Sequence, residues 1–231
     1  MILKETQDQR DKELSDIIGV DIKIIKSKKI ASPESIRVFD GDKIPTNEEE
    51  IENLYKEYKS LDIVGYLRTL MYTSVNRRHV ELFQLLKNTK DKVCLDFGSG
   101  VGTHGIVLAE NNNSVHILDV PGPLLEFAKK RFKNRNYKFT AYSNKSELPK
   151  NTFDVVVCSD VLEHVYDPIK ELERIYESMK INGQIHVLVS KMKKNSSGHF
   201  SESIDKWLRT GPLFLEEHFN RIGETIYVKL N

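Results

Sequence analysis

The sequence predicts an α/β protein: a mostly parallel sheet over about residues 91–231, preceded by a mostly helical cap over 1–90. Two observations carry this. From Lys92 onward short apolar runs alternate with amphipathic stretches, the rhythm of βαβ units. Before that point the apolar residues recur at helical intervals or thin out altogether.

At 231 residues the chain has room for one sizeable core and an appendage. The formal net charge is +1, so nothing in the balance calls for a polyanion; a small-molecule substrate is expected, with no nucleic acid and no membrane partner indicated. The start, MILKETQDQRDKELSD, lacks the apolar stretch of a signal peptide, and no segment reaches the length of a membrane span. The two cysteines, Cys94 and Cys158, each lie in an apolar run and read as core thiols of a reducing compartment. A cytoplasmic location follows as an expectation.

In chain order, residues 1 to about 45 read as charged and irregular, with β-like pieces at Val20–Ile25 and Ile36–Phe39. Thr46 and Glu49 have capping-box spacing, and Ile51, Leu54, Tyr55 and Tyr58 then mark a helix over about 47–59. Asp62 is placed to cap a helix striped by Ile63, Tyr66, Leu67, Leu70 and Met71. Val80, Phe83, Leu85 and Leu86 mark another helix, running to residue 90.

Strands are predicted at Lys92–Phe97, Ser114–Asp119, Tyr137–Ala141, Asp154–Ser159 and Gln184–Ser190. The clearest helices between them are Val101–Asn111, Pro123–Phe132 and Asp167–Lys180, the last stopped near Asn182-Gly183. The tail carries a helix around Ser203–Arg209 and a strand at Glu224–Leu230, while Leu213–Phe219 suits either state.

The chemistry concentrates after the first of these strands. Asp96-Phe97-Gly98-Ser99-Gly100-Val101-Gly102 sets three alternate glycines between a strand and a helix. Without β-carbons the backbone turns sharply and can approach a ligand, and the helix start offers unpaired N–H groups. Gly100, Gly102 and Gly105 also spell the dinucleotide pattern G-x-G-x-x-G, a weak signal alone. Asp96 tells against a pyrophosphate, which it would repel, and suits a ligand with cationic groups. Asp119, closing the second strand, can accept from both hydroxyls of a ribose.

With these residues the chain resembles the class I S-adenosylmethionine-dependent methyltransferases over about residues 90–190. Leu95–Gly102 is similar to that family's first motif, Asp119 falls on its acidic ribose position, and Phe153–Val165 is similar to its F-D-x-V-x-x-x-x-V-L-E-H-V segment. The resemblance implies a doubly wound Rossmann-like sheet of seven strands, one antiparallel near the far edge. It implies S-adenosyl-L-methionine as cofactor, S-adenosyl-L-homocysteine as product, and cofactor contacts from Asp96, Gly98, Ser99, Gly100, Gly102, Asp119, Val120 and Ser159. The family often places an acid at the adenine amino group; here Asn144 stands there, beside Ser143, and an amide can still accept. The tail departs as well, since about forty residues follow the fifth strand and only one further strand is clear.

His164 follows the fourth strand, at the mouth where the family binds its acceptor, and is the candidate general base. Asp160, His199 and Tyr66 are candidate substrate contacts; Tyr55, Tyr58, Tyr72, Arg68, Arg77 and Arg78 belong to a cap that could close over the pocket. Lys191, Lys193 and Lys194 read as a solvated run, and His104 and His186 as ordinary helix and strand residues. No Cys/His spacing suggests a metal site. The leading expectation is methyl transfer to an oxygen or nitrogen of a small molecule. An NAD(P)-dependent oxidoreductase and a non-catalytic S-adenosylmethionine-binding protein are the alternatives.

Overall fold

The computed structural model describes residues 4–30, 46–57, 62–73, 80–189 and 200–231. The expected piece at Ile36–Phe39, and Tyr58, Arg77, Arg78, Lys191, Lys193, Lys194 and His199, lie outside the described residues.

Among the described residues, five helices precede the sheet. α1 (Gln7–Ile18) opens with a capping box between Thr6 and Gln9 and ends at Gly19, in the left-handed region at φ 70°. α2 (Ile22–Ser27) corrects the β-like reading of Val20–Ile25. Asp21 accepts from Lys23 N and starts a helical turn, which buries Ile25 and leaves Ile24 exposed. The expected irregular start is therefore partly helical. α3 (Glu48–Glu57) forms as expected, but its cap sits one residue later: Asn47 Oδ1 accepts from Glu50 N, and the Glu50 carboxylate accepts from Thr46 N. α4 (Ile63–Thr73) is capped by Asp62, which accepts from Gly65 N, and α5 (Val80–Asn88) leads into the sheet.

The sheet is built from β1 (Val93–Phe97), β2 (Ser114–Leu118), β3 (Phe139–Tyr142), β4 (Phe153–Ser159), β5 (Met179–Leu188), β6 (Phe219–Arg221) and β7 (Ile226–Lys229). Its order is β3-β2-β1-β4-β5-β7-β6. The first five strands are parallel, β7 pairs antiparallel with β5, and β6 pairs antiparallel with β7. Helices α6 (Thr103–Ala109), α7 (Pro123–Asn134), α8 (Pro168–Ser178) and α9 (Ser201–His218) complete it. The winding reverses between β1 and β4, so a crevice opens outside their carboxyl ends, where open α/β sheets bind ligands.

Two details differ from expectation. α8 stops at Ser178, and Asn182-Gly183 lies inside β5 rather than ending a helix. Asn182 has φ 62°, and the β4–β5 register shifts there; a β-carbon on Gly183 would stand 2.8 Å from Lys180 O, so the glycine serves a strand irregularity. In the tail, Leu213–Phe219 resolves as helix through His218, and a second strand, β6, follows at once.

One core cluster packs α5, α6 and α7 on one face of the sheet, including Leu82, Ile106 and Phe132; a second packs α8 and α9 on the other, including Leu172, Ile175 and Leu215. A third joins the early helices to α7 through Leu14, Ile25, Leu67 and Met71 against Leu124 and Phe127. That junction also holds buried ion pairs. Glu13 on α1 meets Arg131 on α7 (3.0 Å) and Arg135 just past its end, and Arg68 on α4 pairs with Asp11 on α1 at 2.7 Å.

Candidate active site

The loop after β1 is tacked to the end of β2: Gly98 N and Ser99 N both donate to Leu118 O, at 2.8 and 2.9 Å. Gly98 adopts φ 71° against Val161, whose Cγ2 would stand 2.4 Å from an added β-carbon, so no larger residue fits. At Gly100, φ 51°, an added β-carbon would find no described atom within 4 Å. The loop is thus closed on one side and open on the other. Gly102 then caps α6.

Two carboxylates flank this cradle. Asp96, 1% exposed, accepts from Gly105 N at 2.9 Å through Oδ2, and His104 Nδ1 lies 3.9 Å from its Oδ1. Burial pushes its carboxyl up to about 7. Asp119 accepts from Gly100 N at 2.6 Å and from Val120 N at 2.8 Å; burial raises it to about 6 against the pull of those two amides. Ser99 is buried, and its hydroxyl has no hydrogen-bond partner among the described residues.

The fit to a ligand follows from these features. Two anionic groups held at a cost would be relieved by a cation or by hydroxyl donors, and the orphan Ser99 hydroxyl lies beside the open backbone. A methionine ammonium and a ribose supply both. A pyrophosphate fits less well, because the Gly105 amide that it would need in the first turn of α6 already serves Asp96.

Ser143 and Asn144 follow β3, both exposed; Asn144 Oδ1 accepts from Ser146 N at 3.0 Å and Ser146 Oγ at 2.8 Å, capping the 3-10 turn Lys145–Glu147. Ser159 ends β4, and Asp160, at φ 56°, donates its amide to Leu188 O. His164 closes the 3-10 turn Leu162–His164, and its Nδ1 lies 2.8 Å from the hydroxyl of Tyr55 on α3. Tyr66 on α4 packs in the third cluster close to Tyr55.

The strand ends therefore gather Asp96, the glycines, Ser99, Asp119 and Val120 at one mouth, with His164 on the neighbouring β4 loop. Two contacts escaped the sequence. Tyr55 reads there as a member of a helical stripe in a cap that could close over the pocket, with no link to His164. Lys145 carries no motif, yet its ammonium lies 3.1 Å from Glu48 on α3 and 3.1 Å from the buried Glu171 on α8. Among the described residues no group of three or more His, Cys, Asp or Glu is placed to hold a metal. Cys94 and Cys158 are buried free thiols, and no described helix is long and apolar enough to cross a membrane.

A reversed-order α/β sheet with a glycine cradle and paired strand-end acids at its carboxyl ends is an arrangement of the Rossmann-like class. Residues 95–185 match a family model described as a methyltransferase domain. Through this segment the chain is similar to the S-adenosylmethionine-dependent methyltransferases.

An uncharacterized protein, MJ0638, of Methanocaldococcus jannaschii is 34% identical over 143 residues, 61% of this chain and 60% of that protein. A ubiquinone biosynthesis O-methyltransferase of Hydrogenovibrio crunogenus is 24% identical, covering 48% of each chain. A tRNA U34 carboxymethyltransferase of Helicobacter acinonychis is 29% identical, covering 45% of this chain and 43% of that one. The chain thus spans between about two-fifths and three-fifths of the length of these relatives. Among solved structures, the 1,6-didemethyltoxoflavin-N1-methyltransferase of Burkholderia thailandensis, with bound 1,6-didemethyltoxoflavin and S-adenosylhomocysteine, shares the fold. Its TM-score is 0.56 at 14% identity, over 83% of this chain and 94% of that one.

Proposed function

We propose that this chain binds S-adenosyl-L-methionine at the Asp96–Gly102 loop and transfers its methyl group to an oxygen or nitrogen of a small-molecule acceptor. The observation that carries the reading is the open glycine cradle flanked by the carboxylates of Asp96 and Asp119. In it, Asp96 pairs with the methionine ammonium and Asp119 accepts from the ribose hydroxyls. Gly98, Ser99, Gly100, Gly102, Val120 and Ser159 line the cradle, with Ser143 and Asn144 toward the adenine. NAD(P) is the weaker ligand for the reason given above.

When bound, the cofactor supplies an electrophilic methyl on a sulfonium leaving group. The chain's work is then alignment, which can supply roughly 7–11 kcal/mol of such a barrier. His164 takes the acceptor's proton when that acceptor is a hydroxyl or a protonated amine. Asp160 and Tyr66 contact the acceptor. Residues 1–90 form a cap that shapes its pocket, while 91–231 form the cofactor-binding domain. The near-neutral charge favours a small acceptor over nucleic acid, and the buried free thiols Cys94 and Cys158 suit a reducing, cytoplasmic compartment.

The test is a transfer screen with isotope-labelled methyl donor against metabolite extracts and, separately, tRNA, read by mass spectrometry. A labelled small molecule is the expected result. Label in tRNA alone would replace the small-molecule reading, and donor binding without label anywhere would favour a regulatory protein.

A further inference from the structure

The glycine loop hangs from two anchors, and the second leads back to the first helix of the chain. At the loop's start Gly98 N and Ser99 N donate to Leu118 O, and Gly100 N donates to Asp119, so these peptides are held by the end of β2. From Val101 onward the hold passes to α7. Arg131 Nη1 donates to Val101 O at 2.6 Å and to Thr103 Oγ1 at 3.2 Å, and a β-carbon on Gly102 would stand 3.1 Å from Ala128 Cβ.

The other side of the same guanidinium faces α1. Its Nε and Nη2 both donate to Glu13 Oε2, at 3.2 and 3.0 Å, and both side chains are buried. A buried guanidinium needs a counterion, so Glu13 is what keeps Arg131 behind the loop and within reach of Val101 O. The Val101 side chain makes a second link. It is buried in the cluster that holds Leu14 of α1, Leu67 and Met71 of α4 and Phe127 of α7.

We propose that α1 serves cofactor binding from behind the loop: Glu13, through Arg131, positions the Val101–Thr103 end of the cradle, so that docking of α1 and binding of S-adenosylmethionine favour each other. Glu13 and Arg131 are positioning residues in this account. It deepens the methyltransferase reading above and rests on it for the ligand.

The coupling follows from the loop's composition. Gly98, Gly100 and Gly102 all take left-handed φ, and three glycines in five residues leave a free loop many conformations to lose when a ligand binds. A donor fixed on Val101 O removes much of that freedom beforehand, which strengthens binding. Linkage makes the effect mutual: a ligand that prefers the fixed loop also favours α1 in place on α7. α1 lies outside the residues 95–185 that match the methyltransferase-domain model, so the matched segment alone lacks this anchor.

Amide hydrogen exchange of the full chain, with and without saturating S-adenosylhomocysteine, tests the coupling. The ligand is expected to slow exchange along α1 about fivefold or more, and by more than along β6 and β7 at the far sheet edge. No slowing in α1, or no more than at that edge, overturns the proposal.

Arg131→Met cuts the link at its centre while the buried Glu13 keeps Arg135 as counterion. In that variant S-adenosylhomocysteine is expected to bind about tenfold more weakly, residues 98–105 to exchange about fivefold faster without ligand, and the ligand to lose its effect on α1. Arg135→Gln removes the neighbouring cation from the same carboxylate and leaves Arg131 on the loop; its affinity is expected to stay within about twofold. Unchanged affinity in a folded Arg131→Met chain overturns the proposal, and so does an equal loss in Arg135→Gln, which would mark a general loosening. If Arg131→Met does not fold, the wild-type exchange pattern decides alone. If the wild type binds neither S-adenosylmethionine nor S-adenosylhomocysteine, the methyltransferase reading fails. Loop exchange in ligand-free Arg131→Met then decides whether Arg131 positions the loop, and an unchanged rate overturns that as well.

Discussion

Asp96 Oδ2 accepts the amide of Gly105 at 2.9 Å, joining the end of β1 to the first turn of α6 behind the glycine loop. One backbone N–H offsets only part of the cost of burying that carboxylate, and its pKa rises from 3.8 to about 7. The folded chain therefore holds a proton that the unfolded chain releases, and without ligand its stability falls as pH rises from about 4 to about 7. Asp96→Asn is expected to flatten that slope and stabilise the unliganded chain at pH 8 by on the order of 2 kcal/mol, while losing S-adenosylmethionine binding. Urea unfolding at pH 5 and pH 8, paired with calorimetry, checks both halves.

Ligand affinity should carry the opposite pH dependence. A cation that pairs with ionised Asp96 must displace the proton the acid holds below about 7, so S-adenosylmethionine binds more weakly as pH falls. Asp119, at about 6, adds to this at the lower end. From pH 8 to pH 6 the dissociation constant is expected to rise about tenfold. A flat titration across that range would separate the ligand from both acids.

Gly98 combines a left-handed backbone with contact against Val161. Gly98→Ala is expected to cost about 3 kcal/mol, from backbone strain and overpacking together. Val161→Ala should recover part of this, since it removes the γ-carbons that the new methyl would strike. Denaturation midpoints of the two single variants and the double variant give the coupling directly.

Glu13 stands between Arg131 and Arg135, and those two cations hold its carboxyl below its usual range despite burial. Glu13→Gln leaves the buried Arg131 without its counterion. A loss of about 3–5 kcal/mol is expected, with faster hydrogen exchange along α1 as it loosens from α7.

Much of this architecture was legible because its signals are local and strong. The run Val93–Phe97 into Gly98, Gly100 and Gly102 announces a buried strand and a close backbone approach, and Asp119 ends its strand within reach of that loop. The early helices were harder. Val20–Ile25 alternates like a strand, and only the turn set by Gly19 and Asp21 makes it helical. The three residues of β6 are too few to show a period, and Asn182-Gly183 uses at a strand irregularity the chemistry that stops helices elsewhere. The pairings made by Tyr55 and Lys145 were illegible for another reason. Their significance lies in contacts across 109 positions to His164 and 97 to Glu48, which no local pattern encodes.

Calorimetry of the full chain with S-adenosylmethionine, S-adenosylhomocysteine, NAD(H) and NADP(H) tests the central claim most directly. The account predicts binding of both methionine derivatives, lost in Asp96→Asn, and no measurable heat from the dinucleotides. Tight dinucleotide binding with neither methionine derivative bound would contradict it.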